Sequence, residues 1–324
     1  MTTRNGRVYR GTLFCCAGLV AFIATTGCRQ SEPHPVSSRA GLSTTVIDSL
    51  DAALVAADSA VVRDDTIRYT SYPIDGAASL KALQDSLGAE KMTLVLKLNR
   101  IDLRHARRGD TLVVADSLQD LLALSPFPHR LDAVGFVPKL LLVSRRVQAF
   151  AAYEAGHLVY WGPTSTGKRS TPTPAALYFA NWRMQSRRST INQAWLLEWY
   201  VNFENFEGIS FHQYALPGYP ASHACVRLSE EDARWIYDWA TLWILSRDRD
   251  RVLAEGTPVI VFGDYAYGET PPWKKVIEDP MAATVTMEAI DAMFDAHLPA
   301  LQAAVEARYA YLDSLSRHMV GVPF

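Results

Sequence analysis

A cysteine, two histidines and an arginine lie close together in the sequence, and their side chains could carry out nucleophilic chemistry. Cys225 comes thirteen residues after His212 and two residues after His223, and Arg227 follows two residues later. A cysteine attacks a carbonyl carbon as the thiolate, and a neighbouring imidazole can accept the thiol proton. These residue types therefore indicate acyl transfer. A buried structural cysteine beside two ordinary histidines is the alternative.

A strand and a helix should position these residues. Ile209 to His212 alternates apolar and polar residues, which predicts a short strand. Ser229 is a good N-cap residue, and the three acidic residues after it favour a helix from about Ser229 to Leu245. The thiol would then lie between a strand and the start of a helix, where backbone N–H groups can stabilise developing negative charge.

The composition describes a globular protein that is long enough for two domains. Of the 324 residues, 49% are hydrophobic and 20% are charged. The 32 basic residues nearly balance the 34 acidic ones. This balance gives no reason to propose nucleic acid as a partner.

Residues 1–27 have the pattern of a secretory signal. Arg4, Arg7 and Arg10 precede a short apolar run that ends in small residues directly before Cys28. The pattern resembles a bacterial lipobox, in which this cysteine is acylated and becomes the first residue of the mature protein. A plain signal peptide and an uncleaved anchor are the alternatives, and all three place the body of the protein outside the cytoplasm. Residues 28–65 would form a lipid-anchored tether and a helix.

Export leaves one unmodified thiol in the mature protein. Cys15 and Cys16 leave with the signal, and Cys28 would carry the lipid, so only Cys225 remains. Exported proteins normally pair their cysteines, and Cys225 has no partner for a disulfide within the chain. Because Arg29 rather than Asp follows the lipidated cysteine, the outer membrane is favoured in a cell that has two membranes.

Residues 66–125 predict a small α+β unit. Helical patterns cover residues 77–87 and 90–98, with Gly88 between them, and a strand-like run follows at residues 109–114. This order resembles the latter part of a LysM module, a small fold that binds glycans. A helical linker domain with one hairpin strand is the alternative.

Strand patterns dominate residues 136–263, and helical patterns dominate residues 286–317. The predicted strands include Lys139–Phe150, His157–Trp161, Ala176–Trp182, Trp195–Phe203 and Thr257–Phe262. Pro299 should begin a second C-terminal helix, with Leu312 and Leu315 turned inward. The sequence thus predicts a mainly β domain with one or more helices, preceded by a small α+β unit and followed by a helical tail.

Residues 136–263 resemble the catalytic domain of the YkuD family, the L,D-transpeptidases of peptidoglycan, which implies a YkuD-like β-sandwich. Four features carry the resemblance, in this order. They are a strand hairpin leading into the "STGK…TPTP" loop at residues 165–174, a histidine that ends a short strand, the "SHACVR" signature at residues 222–227, and the "GTPVI" run at residues 256–260.

The resemblance implies a role for each residue of the site. Cys225 would be the nucleophile, and His212 would be its base. His223 would line the site, and Arg227 would hold a substrate carboxylate, which suits its planar guanidinium. Tyr214, two residues after His212, could contact the substrate.

The turn before the nucleophile would also contribute. The N–H groups of Ala224 and Cys225 would form an oxyanion hole, and Ser222 would fix the turn by hydrogen bonds. The family usually has glycine where this chain has Ala224. Alanine would be strained there by about 1 kcal/mol or more if the position has a positive φ. The loop between His212 and Ser222 has nine residues, which is shorter than usual in the family.

These features imply an exported peptidoglycan L,D-transpeptidase with a cysteine acyl-enzyme. It would transfer a tetrapeptide-stem acyl group to an amine, forming a 3–3 crosslink or attaching a protein, and would release a terminal D-amino acid. An L,D-carboxypeptidase or endopeptidase that uses water, and a non-catalytic wall-binding lipoprotein, are the alternatives. No cofactor is implied, and a zinc site at the thiol and its histidines is disfavoured because paired ligand spacing is lacking. The partners would be stem peptides and, through the lipid, a membrane; the sequence assigns no oligomeric state.

Overall fold

The computed structural model describes residues 67–320, with side chains to residue 317. The predicted signal peptide, the lipidation site Cys28 and the tether at 28–65 lie outside the described residues. Within residues 67–320, no helix is both long and apolar enough to cross a membrane.

The described part of the chain contains thirteen strands and four α-helices. The strands are β1 (Tyr69–Pro73), β2 (Thr111–Ala115), β3 (Leu140–Ser144), β4 (Ala149–Glu154), β5 (His157–Pro163), β6 (Ala176–Phe179), β7 (Arg183–Arg188), β8 (Leu196–Glu204), β9 (Ile209–Gln213), β10 (Val226–Leu228), β11 (Ile244–Leu245), β12 (Val252–Ala254) and β13 (Pro258–Phe262). The helices are α1 (Ala77–Asn99), α2 (Glu230–Trp239), α3 (Pro272–Lys275) and α4 (Met287–Val320).

The N-terminal unit consists of β1, α1 and β2. The two strands pair antiparallel, with Tyr72 opposite Leu112. Gly88 has φ 75°, which interrupts α1 at the glycine that the sequence predicts as a helix stop. The unit therefore has the order strand, two helical halves, strand. The glycan-binding role expected from the LysM resemblance stays a prediction.

Two sheets form the main body of the protein. The larger has the order β5-β4-β3-β13-β6, and the smaller has the order β10-β9-β8-β7. β3 is buried on both faces, which explains its uninterrupted apolar sequence. Leu141 belongs to the core between the sheets with Phe211. Leu140 belongs to a second core, which includes Leu112 of the N-terminal unit and Phe294 of α4. The mainly β fold expected from the sequence is confirmed.

The structure divides one predicted strand and shortens the predicted helix. Lys139–Phe150 is not one strand, because a turn that includes Gln148 at φ 46° separates β3 from β4. α2 ends at Trp239 rather than at Leu245, because Ala240 has an extended backbone with ψ 136°. The residues beyond it bond to other parts of the chain, as when the Trp243 N–H donates to the Ala180 carbonyl at 3.1 Å.

The C-terminal tail and one strand also differ from the sequence predictions. Pro299 does not begin a second helix, because α4 runs through it as a single helix. Leu312 and Leu315 are 40% and 42% exposed rather than turned inward. β7 has no predicted counterpart, because five of its six residues are exposed and its sequence has no apolar alternation.

A buried ion pair joins the N-terminal unit to α2. Lys97 of α1 and Asp232 of α2 form a hydrogen-bonded salt bridge, and their side chains are 5% and 0% exposed. The Tyr160 hydroxyl donates to the same carboxylate at 2.8 Å, and the Ser229 hydroxyl donates to its second oxygen at 2.6 Å. Since the carboxylate has three partners, its burial is compensated, and it holds α1 against the start of α2.

Replacing Asp232 should therefore destabilise the whole described unit. Asp232→Asn leaves the Lys97 ammonium buried without a counter-charge, and we expect a loss of about 3–5 kcal/mol in the free energy of unfolding. Denaturant unfolding measures this loss. The control Asp238→Asn, at an exposed position of the same helix, should change stability by about 0.5 kcal/mol or less. A similar small change for Asp232→Asn would contradict the role given to the pair.

Candidate active site

Parallel pairing of β9 and β10 brings the Cys225 thiol beside β9, the strand that carries His212. The register places Arg227 opposite His212 and Val226 opposite Phe211. Cys225, one residue earlier, therefore lies beside Ser210, and the Ser210 Oγ is 3.4 Å from the Cys225 Sγ. Ser210 is a residue of the site that the sequence motifs did not predict. Its place two residues before His212, on the same face of β9, was the available signal.

The "STGK…TPTP" loop holds the turn that carries the thiol. The Thr173 hydroxyl donates to the Ala224 carbonyl at 2.6 Å and accepts from the Gly167 N–H at 2.9 Å. The Ser222 hydroxyl donates to the Cys225 carbonyl. A β-carbon on Gly167 would lie 2.1 Å from the Thr171 carbonyl oxygen, so only glycine fits there. The loop thus acts as a scaffold for the turn.

Ala224 occupies the left-handed region, with φ 78°. An L-residue is strained in this region, whereas glycine adopts it freely. The positive φ at which alanine is expected to be strained is therefore present at this position.

His212 is a buried and neutral imidazole. Its residue is 4% exposed, and its Nδ1 lies 2.9 Å from the Gln213 carbonyl oxygen. Because a carbonyl only accepts, Nδ1 carries the proton, and Nε2 is left with a free lone pair. Burial lowers the pKa of His212 to about 4, against a smaller raising effect of the Gln213 hydrogen bond. At neutral pH the ring is therefore able to accept a proton at Nε2.

A β-bulge orients an aromatic ring against His212. Glu198 pairs with Gln213 and Val201 pairs with Phe211, so two residues of β8 lie opposite His212 alone. The first of them, Trp199, has φ 53°, as the bulge requires. The second, Tyr200, stacks on the imidazole with ring centroids 6.4 Å apart and planes 10° apart. The bulge therefore helps to fix the ring plane of the candidate base.

The environment of Cys225 favours the protonated thiol. Burial raises the pKa of Cys225, while hydrogen bonding from Ser210 and the charges of Arg227 and Arg187 act in the opposite direction. The net shift is upward, so attack by this thiol requires a base. Arg187 of β7 is half-buried, and its guanidinium lies 5.3 Å from the Tyr200 ring centroid. Arg187 belongs to none of the sequence motifs and was not predicted as a residue of the site.

The remaining predicted residues line the same cleft. The cleft is lined by the predicted residues His212, Tyr214, Ser222, His223, Cys225 and Arg227. The β7–β8 hairpin contributes Ser189, Ile191, Trp195 and Leu197 to the same lining. The Arg227 guanidinium lies 4.6 Å from the Tyr214 ring centroid. The structure thus brings together the side chains that the sequence singled out, and adds the hairpin as one wall.

His223 has a lysine neighbour and an unused ring nitrogen. The Lys168 Nζ lies 3.2 Å from the His223 Nε2. Burial and the charges of Lys168 and Arg227 lower the pKa of His223, so an uncharged Nε2 can accept from the ammonium. The His223 Nδ1 is buried and has no hydrogen-bond partner among the described residues. It is therefore a free donor at the cleft. Lys168 belongs to the "STGK" motif, from which no role for its side chain could be predicted.

The described part of the chain contains no cluster of residues that could bind a metal ion. Among residues 67–320, no group of three or more histidines, cysteines and acidic residues could hold a metal ion.

One family model matches part of the chain. Residues 138–261 match the family model of the L,D-transpeptidase catalytic domain, YkuD. This match confirms the resemblance seen in the sequence and leaves the small N-terminal unit without an assignment. No curated protein matches the chain.

Three solved structures of L,D-transpeptidases are similar to part of the chain. One from Mycobacterium smegmatis is 19% identical over 39% of this chain and 59% of that one, with a TM-score of 0.31. One from Stackebrandtia nassauensis is 22% identical over 40% and 57%, with a TM-score of 0.32. One from Mycobacterium tuberculosis is 17% identical over 60% and 91%, with a TM-score of 0.31. This chain spans less than two thirds of the length of the first two.

The strain at Ala224 should be measurable. Ala224→Gly is expected to raise the free energy of unfolding by about 1 kcal/mol, because glycine adopts φ 78° without a steric penalty. Denaturant unfolding measures the change. Ala221→Gly is the matched control: its backbone is not in the left-handed region, so glycine should destabilise the protein there. Equal effects at the two positions would refute the strain.

The charge of Arg187 should be detectable at the thiol. Arg187→Met is expected to slow alkylation of Cys225 by iodoacetamide about threefold near pH 7.5, because loss of the nearby cation raises the pKa of the thiol. The rate should rise with pH in both proteins, because the thiolate is the reactive form. The neighbouring and exposed Arg188 supplies the control Arg188→Met, which should leave the profile unchanged, and Arg187→Lys should restore it. Identical profiles for the two methionine variants would exclude the effect.

Proposed function

We propose that residues 138–261, a YkuD L,D-transpeptidase catalytic domain, catalyse acyl transfer on peptidoglycan stem peptides through a Cys225 thioester. The observation that carries the proposal is the pairing of β9 with β10, which puts the thiol and His212 in one cleft. Burial keeps the His212 imidazole neutral, and its bond to the Gln213 carbonyl places the proton on Nδ1 and leaves Nε2 free.

The first half of the reaction forms the acyl-enzyme. The Cys225 Sγ attacks the carbonyl carbon of the stem's terminal peptide bond, and the His212 Nε2 takes the thiol proton. The tetrahedral intermediate carries its negative charge on oxygen, where the N–H groups of Ala224 and Cys225 would stabilise it. The C–N bond then breaks, the imidazolium gives its proton to the leaving nitrogen, and a terminal D-amino acid departs.

The second half passes the acyl group to an amine. The amine nitrogen attacks the thioester carbon and loses a proton to His212, which returns it to the departing sulfur. An amide forms, and the free thiol is regenerated. The acceptor would be the side-chain amine of another stem, giving a 3–3 crosslink, or a lysine of a protein.

Cationic and donor groups in the cleft, and one lysine beside it, support a substrate that carries carboxylates. Arg227 lines the cleft beside Tyr214, and Lys168 lies against His223. The unused His223 Nδ1 offers a further donor. Because a guanidinium and an ammonium both favour anionic groups, they suit the free carboxylates of a stem peptide.

We also propose that the protein is an exported lipoprotein that faces the periplasm or cell wall. The support is the lipobox-like run before Cys28 and the single thiol that remains after export. Cys28→Ala should abolish lipid attachment and move the protein from the membrane fraction to the soluble fraction, as fractionation measures. Retention of the variant in membranes would point to an uncleaved anchor.

The acyl-enzyme can be tested with a carbapenem, whose strained lactam carbonyl acylates a nucleophile. The purified protein is expected to gain the mass of one carbapenem, attached to Cys225. The variant Cys225→Ser should gain none, and His212→Gln should react more slowly by about 10²-fold or more. Intact-mass measurement follows the adduct. An unmodified protein, or an adduct that persists in Cys225→Ser, would overturn the proposal.

Product analysis on muropeptides separates transfer from hydrolysis. The proposal predicts crosslinked or protein-linked stems that are absent with Cys225→Ala. Shortened stems alone would instead assign the site to a carboxypeptidase.

A further inference from the structure

A second cavity lies beside the end of α1 and shares no lining residue with the Cys225 cleft. Its volume is about 420 Å3. It is bounded by the N-terminal unit, the loop before Pro126, and the segment from α3 to Thr284. Most of its wall is apolar, including Ile67, Leu98, Val113, Leu124, Val276 and Met281. A cavity of this size and lining suits a small organic ligand.

Arg100 contributes a buried positive charge to this wall. The residue is 1% exposed, and its guanidinium lies 5.2 Å from the Trp161 ring centroid and 5.5 Å from that of Trp273. Its Nε donates to the Val147 carbonyl at 2.9 Å, and its Nη1 donates to the Lys97 carbonyl at 2.7 Å. Nη1 also donates to the Leu98 carbonyl at 3.1 Å. These hydrogen bonds leave Nη2 without an acceptor among the described residues.

The charge of Arg100 has no carboxylate partner within the described residues. The buried Lys97 is paired with Asp232, but no ion pair in this part of the chain includes Arg100. Burial lowers the pKa of Arg100 to about 9, with a smaller raising effect from Tyr69. The group is still charged at neutral pH, so a buried cation lacks a counter-charge.

Trp273 adds a second unsatisfied donor to the same wall. The residue is 2% exposed, and its Nε1 is buried without a hydrogen-bond partner among the described residues. Other tryptophans donate: the Trp161 Nε1 bonds to the Leu121 carbonyl, and the Trp239 Nε1 bonds to the Glu154 carboxylate. A buried donor without an acceptor is destabilising, and this indole belongs to the same cavity wall as the uncompensated charge of Arg100.

We propose that this cavity binds a small monocarboxylate with an apolar body. The carboxylate accepts from the Arg100 guanidinium and the Trp273 indole, and the apolar body fills the space between the aliphatic side chains. An anionic acceptor supplies both the missing counter-charge and the missing hydrogen bond, whereas an alcohol supplies only an acceptor and an amine adds a second cation. The site is independent of the proposed acyl transfer at Cys225.

A matched series of eight-carbon probes tests the proposal on the full mature protein. Octanoate should raise the melting temperature in a saturable way, octanol should raise it less, and octylamine should not raise it. Isothermal titration then gives the affinities, and octanoate should bind at least about tenfold more tightly than octanol. Equal affinities for octanoate and octanol would overturn the role of the charge.

Two variants place the ligand in the cavity. Ala123→Phe fills the space beside Leu124 and should abolish octanoate binding, while Ala292→Phe on the exposed face of α4 should not change it. Trp273→Phe keeps the aromatic ring but removes the N–H, and should weaken octanoate about tenfold. Cys225→Ser should bind octanoate as tightly as the unchanged protein. Unaltered binding to Ala123→Phe, or protection of Cys225 from alkylation by octanoate, would overturn the proposal.

Discussion

The parallel register between β9 and β10 is the constraint on which the cleft depends. It sets His212 opposite Arg227 and Cys225 beside Ser210. A slip of one residue would turn the histidine to the other face of the sheet, because side chains alternate along a strand. The register is specified by burial, since Phe211 and Val226 both pack between the two sheets. The chemistry of the site therefore rests on ordinary core packing.

Two residues next to these paired strands have a strained backbone, and hydrogen bonds from a neighbouring loop hold one of them in place. Ala224 at φ 78° lets the chain turn sharply into β10, and Trp199 at φ 53° creates the bulge that orients Tyr200 on His212. The loop around Thr173 compensates by bonding to the strained turn. Such strained positions commonly lie at functional sites, where surrounding structure holds the backbone in place.

The N-terminal unit is part of the same core as the larger sheet. Leu112 packs in one cluster with Leu140, and the Lys97–Asp232 pair fixes α1 to the helix that follows the nucleophile. Arg100, at the end of α1, is the contrasting case of a buried cation without a carboxylate. The two cations lie three residues apart, so the difference comes from what packs against them rather than from α1 itself.

The sequence by itself determined the chemical residues and the fold class. Cys225, His212, His223 and Arg227 were recognisable from type and spacing, and strand patterns predicted a mainly β domain because side-chain alternation is a local property. Only the tertiary structure decided which strands pair, and with them the roles of Ser210, Arg187 and Lys168. It also decided the positive φ of Ala224, the end of α2 at Trp239 and the unpaired charge of Arg100. Each of these depends on contacts between residues far apart in the chain, and a local pattern carries no information about such contacts.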